Sequence, residues 1–382
     1  MKRTPLTIIF TIVFIDLLGF GIIIPILPSY AQRGFGSSDL TVGFLVASFS
    51  LMQLLFTPLW GRISDRVGRK PVLIVGLICT IVGYVLFGMA GSLAMLFASR
   101  LLSGIGGANI SAAQAYIADV TPQHERAKGM GLIGAAFGLG FVFGPFLGGV
   151  LSKYGYEIPG FAAASLSLIA LLTTIFFLPE PKEHAGEELK EKFSLSNLSA
   201  ALKKPRILLL LSLFFLATFG YANIYASFPM LSTRDLGYTD TQVGYLFGFL
   251  GLIGAATQGG FIRLLTGKYR EPVLFIVGAF MTIFGLALIP FSPSTVALLA
   301  VLTVLALGSN IMMPTSLSML SRNTDPREQG GILGINQSLG ALGRTLGPVC
   351  GSFFFQSYGH SWPFLAGGII MFFVFLLAWR LL

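Results

Sequence analysis

The amino-acid sequence predicts an all-α polytopic membrane protein with 12 transmembrane helices arranged as two six-helix bundles. Three observations carry that expectation. Hydrophobic residues make up 54% of the 382 positions and charged ones 11%, under half the charged share of an average soluble domain. A globule this apolar lacks the polar side chains to cover its own surface, which leaves lipid as its solvent. The apolar residues also fall into runs of about 20 or more, enough to cross the hydrocarbon core, and the second half of the chain repeats the first.

Twelve runs are expected in order: residues 6–29, 41–61, 71–91, 93–119, 126–152, 159–178, 206–231, 240–266, 272–291, 295–322, 328–355 and 361–381. The first follows Met1-Lys2-Arg3 without a small-residue cleavage site, so it reads as a retained span rather than a signal peptide. The longest polar interruption runs from Pro179 to Arg206 and contains Glu187-Glu188-Leu189-Lys190-Glu191-Lys192. It defines the expected organisation: an N-terminal bundle at 1–178, a cytoplasmic linker at 179–205 and a C-terminal bundle at 206–382. The linker is too short for a regulatory domain.

The formal net charge of +9 does not point to nucleic acid, because the basic residues punctuate the apolar runs instead of forming one patch. Their placement follows the positive-inside rule. With both termini inside, the outer loops hold just Arg33, Lys153 and Arg234 of the 25 basic residues, so both termini are expected in the cytoplasm. Cys79 and Cys350 each sit inside an apolar run, and His124, His184 and His360 fall in expected loops. Neither a disulfide framework nor a metal site follows from them.

The repeat is read from residues in register. Thr121, Glu125, Gly131, Gly140, Gly144, Pro145 and Gly148 recur at an offset of 203 as Thr324, Glu328, Gly334, Gly343, Gly347, Pro348 and Gly351. Nearer the start of each half, Val42-Gly43, Arg62 and Pro71-Val72 recur at an offset of 201 as Val243-Gly244, Arg263 and Pro272-Val273. Parallel six-helix repeats are a transporter architecture, with the substrate held near the midplane between halves. A membrane-embedded enzyme would need catalytic side chains clustered at one depth, and the sequence contains no such cluster.

Three charged residues stand deep inside expected spans, well away from their ends. Asp16 lies about ten residues into the first, or ~15 Å at the rise of a helix. An ionised carboxylate there is expensive. Either it changes protonation as the cavity wets and dries, the minimum apparatus for proton coupling, or it is locked to a cation that joins helices. Arg100 lies about seven residues below the outer end of the fourth span, and Arg344 lies mid-span in the eleventh at the position matching Phe141. Arg344 is either a substrate contact or a partner of backbone carbonyls. Two embedded arginines against one aspartate suit a substrate with an anionic or zwitterionic group. Asn109, Gln114, Tyr116, Tyr221, Asn223, Asn310 and Asn336 are further cavity candidates, each of which could instead join helices by hydrogen bonds.

The second and third spans are joined by Gly61-Arg62-Ile63-Ser64-Asp65-Arg66-Val67-Gly68-Arg69-Lys70-Pro71. Its glycines permit a tight turn, and Asp65 can accept from the next helix's first amides or pair with a nearby arginine. This run resembles the hallmark loop of the major facilitator superfamily. Three further stretches resemble that superfamily's twelve-helix drug:proton antiporter branch: Asp16-Leu17-Leu18-Gly19-Phe20-Gly21 with Pro25 and Pro28; Arg100 to Ala108; and the series Gly138, Gly140, Gly144-Pro145, Gly148 and Gly149. The resemblance covers essentially the whole chain and is nearest to bacterial tetracycline-resistance-like multidrug exporters.

The resemblance implies a major facilitator fold and proton-coupled export of amphiphilic small molecules by alternating access. It gives Asp16 and Arg100 the proton coupling, with the two close together. It makes Gly61, Asp65, Arg66, Gly68, Arg69, Lys70 and Asp119 a cytoplasmic gate motif, and Gly140, Gly144, Pro145 and Gly148 the antiporter motif. Partners are then a small-molecule substrate, protons and membrane lipids, with no cofactor beyond the proton gradient. A monomer in a bacterial inner membrane is expected. A lipid or glycolipid flippase, or an anionic metabolite exporter, is the alternative on the same fold. One departure concerns substrate: tetracycline exporters carry an acid in the ninth span, and Pro272–Phe291 has none, which counts against tetracycline itself.

Overall fold

The computed structural model describes residues 3–121, 126–181, 204–325 and 328–382. The expected linker therefore lies outside the described residues from 182 to 203. The twelve main helical segments, in chain order, are α1 Arg3–Ile23, α2 Asp39–Val67, α3 Arg69–Gly88, α4 Leu93–Val120, α5 Arg126–Leu151, α6 Glu157–Phe177, α7 Pro205–Arg234, α8 Asp240–Lys268, α9 Glu271–Ala287, α10 Thr295–Arg322, α11 Gln329–Tyr358 and α12 Trp362–Ala378. Ten are long and apolar enough to cross a membrane. The others are α9, apolar but 17 residues long, and α11, 30 residues long and carrying Asn336, Gln337 and Arg344. The chain is a multi-pass membrane protein.

Two compact units contain these helices. The first takes Met1–Lys190 together with Ser232–Gly251, and the second Glu191–Leu231 together with Leu252–Leu382. The end of α7 and most of the first part of α8 thus belong to the first unit. In each unit, large apolar side chains cover the outside as well as the inside. Phe176 is 73% exposed in the first and Leu264 73% in the second, as expected where the surrounding solvent is hydrocarbon.

Several helices are interrupted where the sequence suggests continuous runs. After α1 the chain turns through Ile24–Ile26, then forms Leu27–Ser29 and the wide turn Tyr30–Gly34. Pro25 and Pro28 supply no amide hydrogen there, so the regular ladder cannot run through. The two parts of α4, Leu93–Gly107 and Ile110–Val120, meet at Asn109, whose side-chain amide donates to the Leu73 carbonyl of α3 at 3.3 Å. The parts of α7, Pro205–Ala222 and Ile224–Arg234, meet at Asn223, which donates to the carbonyls of Gly220 at 2.7 Å and Pro363 at 3.2 Å. An asparagine that offers backbone carbonyls a second donor is a recognised cause of such breaks.

The glycine series sets helix spacing. A Cβ added at Gly144 would lie 2.8 Å from the Gly21 Cα, and one at Gly148 would run into the Ile22 carbonyl, so α5 rests directly on the α1 backbone. In the second repeat a Cβ added at Gly347 would lie 2.8 Å from the Phe219 carbonyl oxygen, and α11 rests on α7 in the same way. Small residues at intervals of four permit such backbone approach.

Candidate functional site

Asp16 is on α1 at one end of a buried apolar cluster that includes Ile9, Ile12 and Ile15. Its Oδ1 is buried and has no hydrogen-bond partner. Arg100, on α4, is 2% exposed, and its Nε and one terminal nitrogen are likewise without partners. The guanidinium lies over the Phe49 ring of α2 at 4.6 Å from the centroid and 5.9 Å from that of Phe20 on α1. A cation held against two aromatic faces keeps part of its electrostatic stabilisation without a counter-ion.

Among the described residues no ion pair joins Asp16 to Arg100. Tyr84 of α3 stands in electrostatic range of both. Its hydroxyl is 2.6 Å from where a Cβ on Gly19 would be, one turn along from Asp16. The geometry is therefore carboxyl, phenol and guanidinium contributed by three helices, with the guanidinium packed on aromatic rings. Sequence reasoning missed Tyr84 and Phe49, because an ordinary aromatic residue in an apolar span carries no local sign of its neighbours.

The loop between α2 and α3 is built around Arg69, which is 8% exposed. Its Nε donates to Asp119 Oδ2 at 2.8 Å, and one terminal nitrogen donates to Asp65 Oδ1 at 2.5 Å and Ser64 Oγ at 2.8 Å. The planar fork of an arginine can meet two carboxylates at once. Of the two roles open to Asp65, the structure gives it the pairing with arginine. The first amides of α3 go elsewhere: Arg69 and Lys70 donate their backbone N–H groups to Glu180 at 2.6 and 2.9 Å. A carboxylate at a helix start satisfies orphan donors and favours the helix dipole.

Glu180 follows α6 and was not among the expected gate residues. It seats against Gly68, whose φ of +100° suits glycine and whose missing Cβ leaves room for the carboxylate, 2.6 Å away. Lys70 adds a bond from Nζ to the Ile175 carbonyl at 2.8 Å. Arg66 is exposed, and Gly61 is half-buried with open space around it.

The residues expected to form an antiporter motif, Gly140, Gly144, Pro145 and Gly148, face α1 or its neighbourhood. Gly140 approaches Leu17, and Pro145 packs beside Gly21. Asp16 and the glycine helix are thus mechanically linked through one α1 segment, Asp16 to Ile22.

The polar cavity candidates differ in their surroundings. Asn109 and Asn223 are 1% and 5% exposed and occupied with the carbonyls described above. Tyr116 donates to the Pro179 carbonyl at 2.7 Å, close to the Glu180 cap. Asn310 donates to Ala306 at 2.8 Å and accepts from Gln258 at 2.7 Å. Tyr221 packs edge-on against Tyr225, with ring centroids 6.2 Å apart. Asn336 is 1% exposed with its carbonyl oxygen unpartnered. Gln114 is half-buried. Arg344 is half-buried on α11 with Tyr225 in electrostatic range. Among the described residues of the second unit no carboxylate stands mid-span. No group of three or more His, Cys, Asp or Glu side chains gathers to hold a metal ion among the described residues.

A duplicated twelve-helix membrane bundle with a carboxyl set within one span is the architecture of a solute transporter. Comparison with known proteins narrows this class. The profile of the Major Facilitator Superfamily matches residues 9–348 and 261–382, and the chain belongs to that family. It is 29% identical to multidrug resistance protein 2 of Bacillus subtilis, over 97% of this chain and 93% of that one. It is 32% identical to the class B tetracycline resistance protein of Escherichia coli, over 94% and 89% of the two chains. The solved human organic anion transporter MFSD10 shares its fold, with a TM-score of 0.73, 24% identity and coverage of 98% and 99%.

Proposed function

We propose that this chain exports amphiphilic small molecules, drugs or related metabolites, in exchange for protons by alternating access. It would work as a monomer in a bacterial inner membrane with both termini in the cytoplasm. Membership of a transporter family and likeness to relatives named for multidrug and tetracycline resistance support export of drug-like solutes. The observation that carries the proton coupling is Asp16: a half-buried carboxyl within a span, with one oxygen unpartnered and, among the described residues, no cation paired with it. Such a group can be charged when water reaches it and neutral when the site dries. Tyr84 and Arg100 supply the surrounding polar path. Asp65, Arg69 and Asp119, with Glu180, form the cytoplasmic gate cluster.

Proteoliposomes with an internal pH dye test the reading against a panel of amphiphiles. Wild type should show substrate-driven proton movement, and dye efflux from cells should collapse with a protonophore. Transport confined to lipid-linked substrates would replace this reading with a flippase.

A second reading, export of organic anions, rests on Arg344. It is a mid-span cation, no carboxylate stands mid-span among the described residues of its unit, and the human neighbour in fold is an organic anion transporter. Preference for anionic over cationic dyes would favour it, and strict preference for cations would exclude it.

A further inference from the structure

The two outer loops that follow the first helix of each repeat share a pattern that the transport reading leaves unused. Arg33-Gly34-Phe35-Gly36-Ser37-Ser38-Asp39 and Arg234-Asp235-Leu236-Gly237-Tyr238-Thr239-Asp240 both read Arg-x-x-Gly-x-x-Asp, at the repeat offset of 201. They share a backbone conformation too: Gly36 and Gly237 have φ of +62° and +69°, a region open to glycine. In each copy the arginine ends one helix and the aspartate opens the next.

The charges pair crosswise between the copies, within the first compact unit. Arg234 grips Asp39 with two nitrogens, at 2.5 and 3.1 Å. Arg33 reaches Asp240 at 3.1 Å. Supporting donors converge on both acids. Gln32 donates to Asp39 at 2.8 Å; Tyr156 donates to Asp240 at 2.8 Å, and Ser29 also bonds Asp240. Burial first, then the bond to Asp240, pushes the Tyr156 hydroxyl up to about 12, so it remains a donor at physiological pH. One turn inward the backbones touch: a Cβ on Gly244 would lie 2.6 Å from the Gly149 Cα, and Thr241 donates to the Gly149 carbonyl at 2.7 Å.

An acid at a helix start stabilises its own helix wherever it occurs. That accounts for Asp39 and Asp240 but not for the arginines that reach across to them. The arginines are partly exposed, with side chains 57% accessible at Arg33 and 36% at Arg234. Partly wetted pairs are weak enough to part, yet the two-nitrogen grip of Arg234 on Asp39 gives that pair direction. Each arginine also has an aspartate six residues along in its own loop, a partner of the same kind once the crossed pairs separate.

We propose that Arg33–Asp240 and Arg234–Asp39 form a duplicated, crossed latch that closes the outer side of the transporter, and that their parting admits water and solute from outside. The proposal rests on the alternating-access reading, because a latch needs a cycle in which to open.

The test uses a full-length chain with Cys79→Ser and Cys350→Ser, and a reporter Ile26→Cys. Ile26 is 0% exposed and lies within a turn of Ser29. An impermeant maleimide is applied to intact cells. Asp39→Arg and Arg234→Asp each set like charges together and should raise the labelling rate about tenfold, whereas the double reversal should return it near the parent value. The milder Asp39→Asn and Arg234→Gln should shift labelling in the same direction by about threefold and serve where a reversal fails to fold. Labelling unmoved by the single changes, or raised equally in the double reversal, overturns the latch. Labelling needs neither substrate nor proton gradient. If it follows the charges while the parent moves no solute, the latch stands and the export reading fails.

Discussion

In the first repeat, the start of α3 is tied to the end of α4 by Arg69 and Asp119; in the second, the start of α9 is tied to the end of α10 by Glu271 and Arg322. Asp119 corresponds to Arg322 at the offset of 203, whereas Glu271 corresponds at 201 to Lys70, the neighbour of Arg69, so the second tie uses the next residue along and reversed charges. Their surroundings differ as well. The Arg69 and Asp119 side chains are 9% and 13% exposed and meet at 2.8 Å. Arg322 is 75% exposed and reaches Glu271 at 3.4 Å, with Ser318 donating to the same carboxylate at 2.7 Å. Duplication has preserved the location of a helix-to-helix tie, while its polarity and burial have diverged. The first repeat also carries Asp16, and the second carries Arg344 without a mid-span acid among its described residues. On the proposed function, the first half would carry coupling and gating, and the second charge-selective binding.

The largest expected effect tests that division at Asp16. Asp16→Asn should abolish substrate-driven proton flux in proteoliposomes while leaving the detergent-solubilised melting temperature near wild type. Normal proton movement in that variant would remove the first half's claim to coupling. Next is Arg69→Ala, which leaves the largely buried Asp119 without its cation and should cost about 3 kcal/mol of stability, read as a clear fall in melting temperature. Arg69→Lys should recover part of it, since an ammonium cannot span both carboxylates as a guanidinium does.

A smaller change is expected at Arg344. Arg344→Gln should raise KM for anionic substrates about tenfold, the loss of one charge-assisted contact, and leave neutral ones nearly unchanged. Equal effects on all substrates would make Arg344 structural. Smallest should be Arg322→Ala, below about 1 kcal/mol because the pair is largely solvated. A loss matching that of Arg69→Ala would erase the contrast between the two ties.

Much of the fold was legible from single residues and their spacing. The twelve runs matched helices because the preference of a side chain for hydrocarbon over water is a local property, summed along about 20 residues. The glycine positions were legible for the same reason, since a missing Cβ permits close approach wherever the neighbour lies. The interruptions at Asn109 and Asn223 were not legible. An asparagine breaks a helix when a carbonyl from another element is in reach, and the carbonyls of Leu73 and Pro363 lie 36 and 140 residues away. That Asp65 can pair with a nearby arginine was legible, but which arginine it meets and the amide-capping role of Glu180 were not.

Sequence alone determined that the chain is a duplicated membrane bundle, that one carboxyl and two guanidiniums are embedded in it, and that each copy carries an Arg-x-x-Gly-x-x-Asp loop. Those are matters of composition, register and transfer free energy. Tertiary structure decided the partners: Arg69 with Asp119, Glu180 with the start of α3, Arg100 with Phe49 in place of Asp16, and the crossed outer pairs. Electrostatic and hydrogen-bonding energies depend on separations of a few ångströms between groups 50 to 200 residues apart, and only folding of the chain sets those separations.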